Sequence, residues 1–543
     1  MTPIRQEATS VGGSEAAPRA FARGAARRLT HRANLEKVFL VGLALAAPLL
    51  VFYNLQYAPR TWHDEGAAMS VARTLVEDGV YAVRASDGYQ TFGPIQSVGP
   101  TVLLPVALSF RLFGIGLVQG RLVMAFFTLA TLATLYAVGL RLFDRPTALL
   151  AVALLLGSPA ARFLWFGRQV LGEVPALGFF LGGWLAWLQS VRSGRQWLNG
   201  LAGLLIGAAM ITKSSYILIG FGTLALLALL DVTYYRQRNL REVVAIGLVA
   251  LACVAAWWGW QIFYFGMDTF RQNSEAMRRL GSSTTGLDAH LLFTALKFLL
   301  GADAGYFYFF WGIPALLYAG LWSLRREREG FLLAALLIFT LLWLGYYLWS
   351  VPWLSYLFVP GAVSALFVAK LGRDLLGGVG VPRPLLWSEV RQGRPGKAVL
   401  SLMALLGLGL MIGVPLLAVV RVHVWARDEG PQRVAAFLSE TVHDGAVIET
   451  WERELAILTD HTYHFPEQRL LVEAHAALYR GGNRDYRLGA AYFQKHRPSF
   501  VVVGWFARWL EIYDADFLAA HADLLTTIGE GDLRYEVYRL HGP

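Results

Sequence analysis

The stretch VGPTVLLPVALSFRLFGIG (residues 98–116) is apolar enough to read as a membrane span, and whether it crosses decides the fold. It stands in a chain of 543 residues that is 56% hydrophobic and 16% charged. An ordinary soluble domain carries about 25% charged residues, so the composition describes a polytopic membrane protein. The orientation of its spans follows from Lys and Arg in short loops, which stay on the cytoplasmic side. Arg5, Arg19, Arg23, Arg27, Arg28, Arg32 and Lys37 precede the first apolar run, so the N-terminus is expected inside. If 98–116 crossed, Arg141 and Arg145 would lie outside. So would Arg192 and Arg195, then Arg236, Arg238 and Arg241, then Arg325, Arg326 and Arg328, and the basic stretch 370–397. Placing 98–116 in the interface, broken by Pro100 and Pro105 and carrying Arg111, restores all of them at once.

With a span needing about 20 mostly apolar residues, the layout has eleven. They run at 38–55, 120–140, 146–164, 174–191, 198–213, 215–231, 243–265, 304–322, 331–350, 353–370 and 398–420. Residues 57–119 become one long outer loop, and 290–300 reads as a second interfacial helix. Residues 1–37 read as a disordered basic cytoplasmic tail. The run after it is too long for a cleaved signal segment and is expected to stay as the first span. Residues 421–543 return to ordinary polarity. Helix-like PQRVAAFLSETV and strand-like GAVIET, SFVVVGW and LRYEVYRL predict an outer α/β domain there. The fold class is thus mainly α, polytopic, with an extracytoplasmic α/β domain at the C-terminus.

The net charge of +10 is spread through the loops between spans, which argues for lipid contact and against nucleic acid. The single cysteine, Cys253, rules out an intrachain disulfide and a cysteine-based metal site. Neither a GxGxxG nor a P-loop pattern occurs in the outer domain to suggest nucleotide binding.

This topology gathers the chemistry-bearing residues on one side. WHDEG (62–66), straight after the first span, contributes Asp64 and Glu65. FGRQVLGE (166–173) contributes Arg168 and Glu173, and TKSS (212–215) places Lys213 near the interface. The loop 266–303, with FRQNSEAMRRLGSSTTG, adds Arg278 and Arg279. A carboxylate can take the proton of a hydroxyl that attacks an anomeric carbon, and Arg or Lys can neutralise a departing phosphate. With no soluble nucleotide sugar on that side, the donor would be a sugar carried by a membrane-bound polyprenyl phosphate. Simpler roles stand beside these. Asp64 and Glu65 could serve the start of helix EGAAMSVARTLVEDG, where a first-turn acid gains about 0.3–1 kcal/mol from the helix dipole. Glu173 precedes Val174–Pro175 and could likewise sit at a helix start. Lys213 and Arg168 could snorkel to the interface, and Arg278 and Arg279 could be solvated. His63 lacks a second ligand at metal spacing, and LTDHTYHFPE (458–467), with Asp460, His461 and His464, reads as surface structure.

Taken together, these pieces resemble the GT-C superfamily of membrane glycosyltransferases, in particular its protein O-mannosyltransferase and aminoarabinose transferase group. The likeness rests on the Asp64–Glu65 pair after the first span and on GRLVMAFFTLATLATLYAVGLRLFDRPTALLAVALLLGSP (120–159). FGRQVLGEVPALGFF and the TKSS turn carry it further, and it covers residues 38 to about 230. The resemblance implies inverting transfer from a polyprenyl-phosphate sugar to a lipid, protein or polysaccharide acceptor at a cell membrane. Asp64 would be the base for the acceptor, Glu173 the second acid, and Lys213 and Arg168 the holders of donor phosphate. Many relatives carry Asp at that second acidic position. No paired-carboxylate metal motif like that of oligosaccharyltransferases occurs, so no metal or other cofactor is implied. Two other readings remain open on the residues alone. A lipid or sugar flippase or transporter would place charges near span centres, and the proposed centres are nearly free of them. A non-catalytic assembly protein would tolerate loss of Asp64.

Overall fold

The computed structural model describes residues 37–157, 162–237, 239–301, 307–376, 395–481 and 483–541. The basic tail and the stretch 377–394 lie outside the described residues. Helices are α1 (Lys37–Phe52), α2 (His63–Asp78), α3 (Pro94–Ser97), α4 (Pro100–Phe113), α5 (Leu117–Leu142), α6 (Arg145–Gly157) and α7 (Phe163–Arg168). There follow α8 (Glu173–Ser193), α9 (Trp197–Thr212), α10 (Ser215–Leu230), α11 (Leu240–Phe265), α12 (Met267–Thr284) and α13 (Ala289–Leu299). Then come α14 (Ile313–Ser323), α15 (Arg328–Leu348), α16 (Leu354–Leu375), α17 (Pro395–Val420) and α18 (Gly430–Thr441).

A helix lies in each of the eleven places expected of a span. Seven helical stretches are long and apolar enough to cross a membrane, while those at α1, α6, α9 and α14 are shorter within the described residues. The opening stretch forms α4, with Pro100 at its start and Pro105 inside. Its 14 residues reach about 21 Å at 1.5 Å per residue, short of the ~30 Å hydrocarbon layer. It packs against α2, α5 and α9. The stretch 290–300 is likewise a short apolar helix, α13.

The region around 266–284, expected as a loop, is the 18-residue helix α12. Polar composition suggested a loop, but the segment has no Pro, and Asn273 and Ala276 form a buried stripe at helical spacing. The segment between α1 and α5, expected as the first outer loop, also holds a short hairpin, β1 (Val83–Ala85) and β2 (Gly88–Gln90), turned by Ser86 and Asp87.

The C-terminal region carries β3 (Val447–Thr450), β4 (Thr462–His464), β5 (Phe500–Val503), β6 (Ala522–Ile528) and β7 (Tyr535–Leu540) in the order β4-β3-β5-β7-β6. β3 pairs parallel with β4 and β5, and β7 antiparallel with β5 and β6. The three strands and the helix read from the sequence occur. β4 and β6 were not expected, being short or only weakly alternating. β4 also corrects the reading of LTDHTYHFPE as surface structure: Tyr463, His464 and Phe465 are buried. One face of the sheet, with α18, shares a core with the segment between α1 and α5, joining Val434, Ile448, Val502 and Val537 to Val71, Val83, Val102 and Val106.

Candidate active site

Four of the five residues of WHDEG are fixed by distant parts of the molecule. Trp62 Nε1 donates to Gln169 Oε1 at 3.3 Å. His63 is wholly buried between Trp451 and Phe506, whose rings stack on it at 5.3 and 4.6 Å. Its Nδ1 lies 2.5 Å from the Trp451 carbonyl and its Nε2 3.2 Å from Gln468 Nε2. These partners put the proton on Nδ1. Burial, then the Arg453 charge, lowers its pKa to about 3, so it stays neutral and serves as a clamp.

Glu65 is paired with Arg121 of α5: Nε to Oε1 is 2.8 Å and Nη2 to Oε2 is 2.5 Å, and both side chains are sealed from solvent. The Val170 amide donates to the same carboxylate and Arg121 also donates to the Leu55 carbonyl, so α5 and the loop before α8 are tied to α2. Gly66 lies against the backbone of Arg453 and Glu454; a Cβ there would sit 2.1 Å from the Glu454 nitrogen. Only glycine admits that approach.

Asp64 is the residue left over. It lies in the first turn of α2, as a helix-start acid does, but its side chain makes no capping bond. Its neighbours on either side in sequence are buried, whereas Asp64 itself is exposed. Exposed surface on a carboxyl whose leading influence is desolvation places Asp64 in a recess rather than on an open face. The surroundings raise its pKa to about 6, through desolvation first, against the lowering charge of Lys213 and with the raising charge of Glu173.

Glu173 starts α8, and its Oε1 accepts from Lys213 Nζ at 2.7 Å. Its Oε2 is buried and unpartnered. Lys213 is held where α9 ends: Thr212 meets Thr101 of α4, hydroxyl to hydroxyl, at 2.5 Å. Gly99, at φ 71°, lets the loop press on the Ile211 carbonyl, where a Cβ would be at 1.9 Å. The start of α4 thus positions the lysine. Tyr216 and Tyr356 lie within electrostatic reach of Glu173.

A family profile described as dolichyl-phosphate-mannose-protein mannosyltransferase matches residues 97–260. Among solved structures, ArnT from Cupriavidus metallidurans in the apo state matches with 15% identity and a TM-score of 0.58. The match covers 93% of this chain and 98% of that one. The same protein bound to undecaprenyl phosphate matches equally, over 92% and 97%. The architecture is the GT-C fold. An archaeal oligosaccharyltransferase, AglB from Archaeoglobus fulgidus with an inhibitory peptide and a dolichol-phosphate, matches with 13% identity and a TM-score of 0.57. It spans 92% of this chain and 74% of that one. No curated protein matches the sequence.

Within this GT-C architecture, Asp64, Glu173 and Lys213 come together, and the other expected site residues do not. Glu65 is bound to Arg121. Arg168 is fully buried and donates to the His423 carbonyl at 3.1 Å and to the Tyr53 carbonyl, joining the ends of the first and last apolar helices. Arg278 and Arg279 stand on the exposed face of α12 and pair with Glu275, three and four residues away. Sequence reasoning missed Arg121, although a charge within the opening turns of an apolar helix demands a partner. It also missed Tyr216 and Tyr356, which no local pattern marks.

Proposed function

We propose that this chain is a membrane glycosyltransferase that moves a sugar from a polyprenyl-phosphate donor to an acceptor hydroxyl on the extracytoplasmic face, with inversion. The single observation behind this reading is the exposed Asp64 carboxylate, with a pKa near 6, beside the Glu173–Lys213 pair. Asp64 accepts the proton of the acceptor hydroxyl as its oxygen bonds to the anomeric carbon. The bond from that carbon to the phosphate oxygen breaks on the opposite face, and its electron pair leaves with the polyprenyl phosphate. Lys213 meets the charge growing on that phosphate, and the contact strengthens as the bond breaks, which is where a cation lowers the barrier. Glu173 orients Lys213, and its unpartnered Oε2 is available to a second hydroxyl or a donor oxygen. A pKa near 6 suits a base working close to neutral pH. Both solved neighbours carry a polyprenyl phosphate, undecaprenyl in ArnT and dolichol in AglB. In this reading the N-terminus is cytoplasmic, and the recess and the C-terminal sheet face outward.

The test is single-turnover transfer by purified protein in lipid nanodiscs, using polyprenyl-phosphate sugars as donors and envelope lipids or peptides as acceptors. Wild type is expected to release polyprenyl phosphate and an inverted glycoside, and Asp64→Asn to bind donor without releasing it. Full transfer by Asp64→Asn would remove the assignment.

A further inference from the structure

The hairpin turn of the first outer loop meets the C-terminal region at a second cluster, away from the sugar-transfer recess. Asp87, in the turn between β1 and β2, faces His464 of β4; Asp87 Oδ2 lies 3.1 Å from His464 Nε2. The helix Ala490–His496 adds His496, whose ring stands 4.2 Å from that of His464. One ligand atom from each of Asp87, His464 and His496 lies within 4.8 Å of the others.

Behind His464 stands a second layer. The wholly buried Glu449 of β3 holds His464 Nδ1 at 2.5 Å. The same carboxylate accepts from the Tyr492 and Tyr513 hydroxyls, each at 3.0 Å. A carboxylate fixing one ring nitrogen so that the other can bind a metal is the usual support of a histidine ligand. With its proton on Nδ1 toward Glu449, His464 directs the Nε2 lone pair at the Asp87 carboxylate. At 3.1 Å these atoms can share either a second proton on the ring, which makes His464 an imidazolium between Glu449 and Asp87, or a metal ion. A proton on Nε2 would satisfy Asp87 alone and leave His496 without a part. A metal ion uses all three.

We propose that Asp87, His464 and His496 bind one divalent zinc-type ion, a fourth position being left to water on the solvent side of Asp87. Two imidazoles and one carboxylate form a ligand set suited to zinc. Tetrahedral ligands at the usual zinc distances stand about 3.3 Å apart, so the present spacing of up to 4.8 Å closes by at most about 1.5 Å. The half-exposed Asp87 side chain and His496, at a helix end, can move that far. The ion would clasp the loop that carries α2 to the sheet, fastening the helix that bears Asp64. This inference does not depend on the sugar-transfer reading.

The test uses the full-length chain with any affinity tag removed, incubated with zinc, desalted, and measured for metal by mass spectrometry. Wild type is expected to retain about one zinc per chain. Asp87→Ala and His496→Ala touch the solvent-side ligands and should each weaken zinc binding by tenfold or more. Tyr492→Phe, which loosens Glu449, should weaken it by about tenfold. Cobalt in place of zinc should give the visible absorption of a four-coordinate site in wild type only. Chelation should lower the melting temperature of wild type and leave the Asp87→Ala/His496→Ala double variant unchanged. Zinc retention equal in wild type and that double variant, or none in either, would overturn the site.

Discussion

Two carboxylate–cation pairs flank Asp64, and they are built for opposite ends. Glu65–Arg121 is bidentate, capped by a backbone amide and a carbonyl, and closed to solvent on both sides. Glu173–Lys213 is a single contact with the lysine one-fifth exposed and one carboxylate oxygen unbound. Every polar atom of a sealed pair that is already matched can only hold position. A pair with an unmatched oxygen and a reachable ammonium retains capacity for a ligand. Adjacent acids in the sequence, Asp64 and Glu65, therefore end with different work, because α2 turns one toward α5 and the other toward the recess.

That contrast can be broken at its centre first. Asp64→Asn removes the proton acceptor and should lower the transfer rate by about 10²–10⁴-fold, with the melting temperature unchanged; product release by mass spectrometry and thermal melting read the two effects. Arg121→Met attacks the sealed pair and should do the reverse. Leaving Glu65 buried and alone costs about 3–5 kcal/mol, seen as loss of monodisperse protein. The double variant Glu65→Leu/Arg121→Met should recover most of that stability.

The half-open pair should show itself in the pH profile. Transfer by wild type is expected to rise as pH passes about 6, because Asp64 acts only when ionised and its pKa lies there. Glu173→Gln removes a charge that raises this pKa, so the midpoint should move down. Lys213→Met removes a charge that lowers it, so the midpoint should move up, together with weaker donor binding. Matching midpoints in all three proteins would separate Asp64 from the pair. The smallest effect is expected from Arg278→Ala/Arg279→Ala, whose partner Glu275 is on the same exposed helix face; transfer rates should stay within about twofold of wild type, since such surface pairs contribute little.

Several features were legible because they depend on composition and short-range pattern. Apolar runs, basic loops and two prolines led to an interfacial helix over 98–116, and the structure has a helix there at Pro100–Phe113. The strands Val447–Thr450 and Phe500–Val503 are runs of apolar residues and read as strands. α12 did not, since its helical period is carried by a few buried residues among many polar ones. His464 did not either, because its partners Glu449 and Asp87 are 15 and 377 residues away.

The sequence by itself determined that the chain is a membrane protein with a polar C-terminal region, and that Asp64, Glu173 and Lys213 sit at the ends of apolar segments. Charge and hydropathy act residue by residue against lipid and water, so they can be read along a line. Only the tertiary structure decided that Asp64 opens to a recess while Glu65 is locked to Arg121. Which acid is free depends on packing among α2, α5, the loop before α8 and the C-terminal sheet, contacts whose partners lie 56 to 405 residues apart.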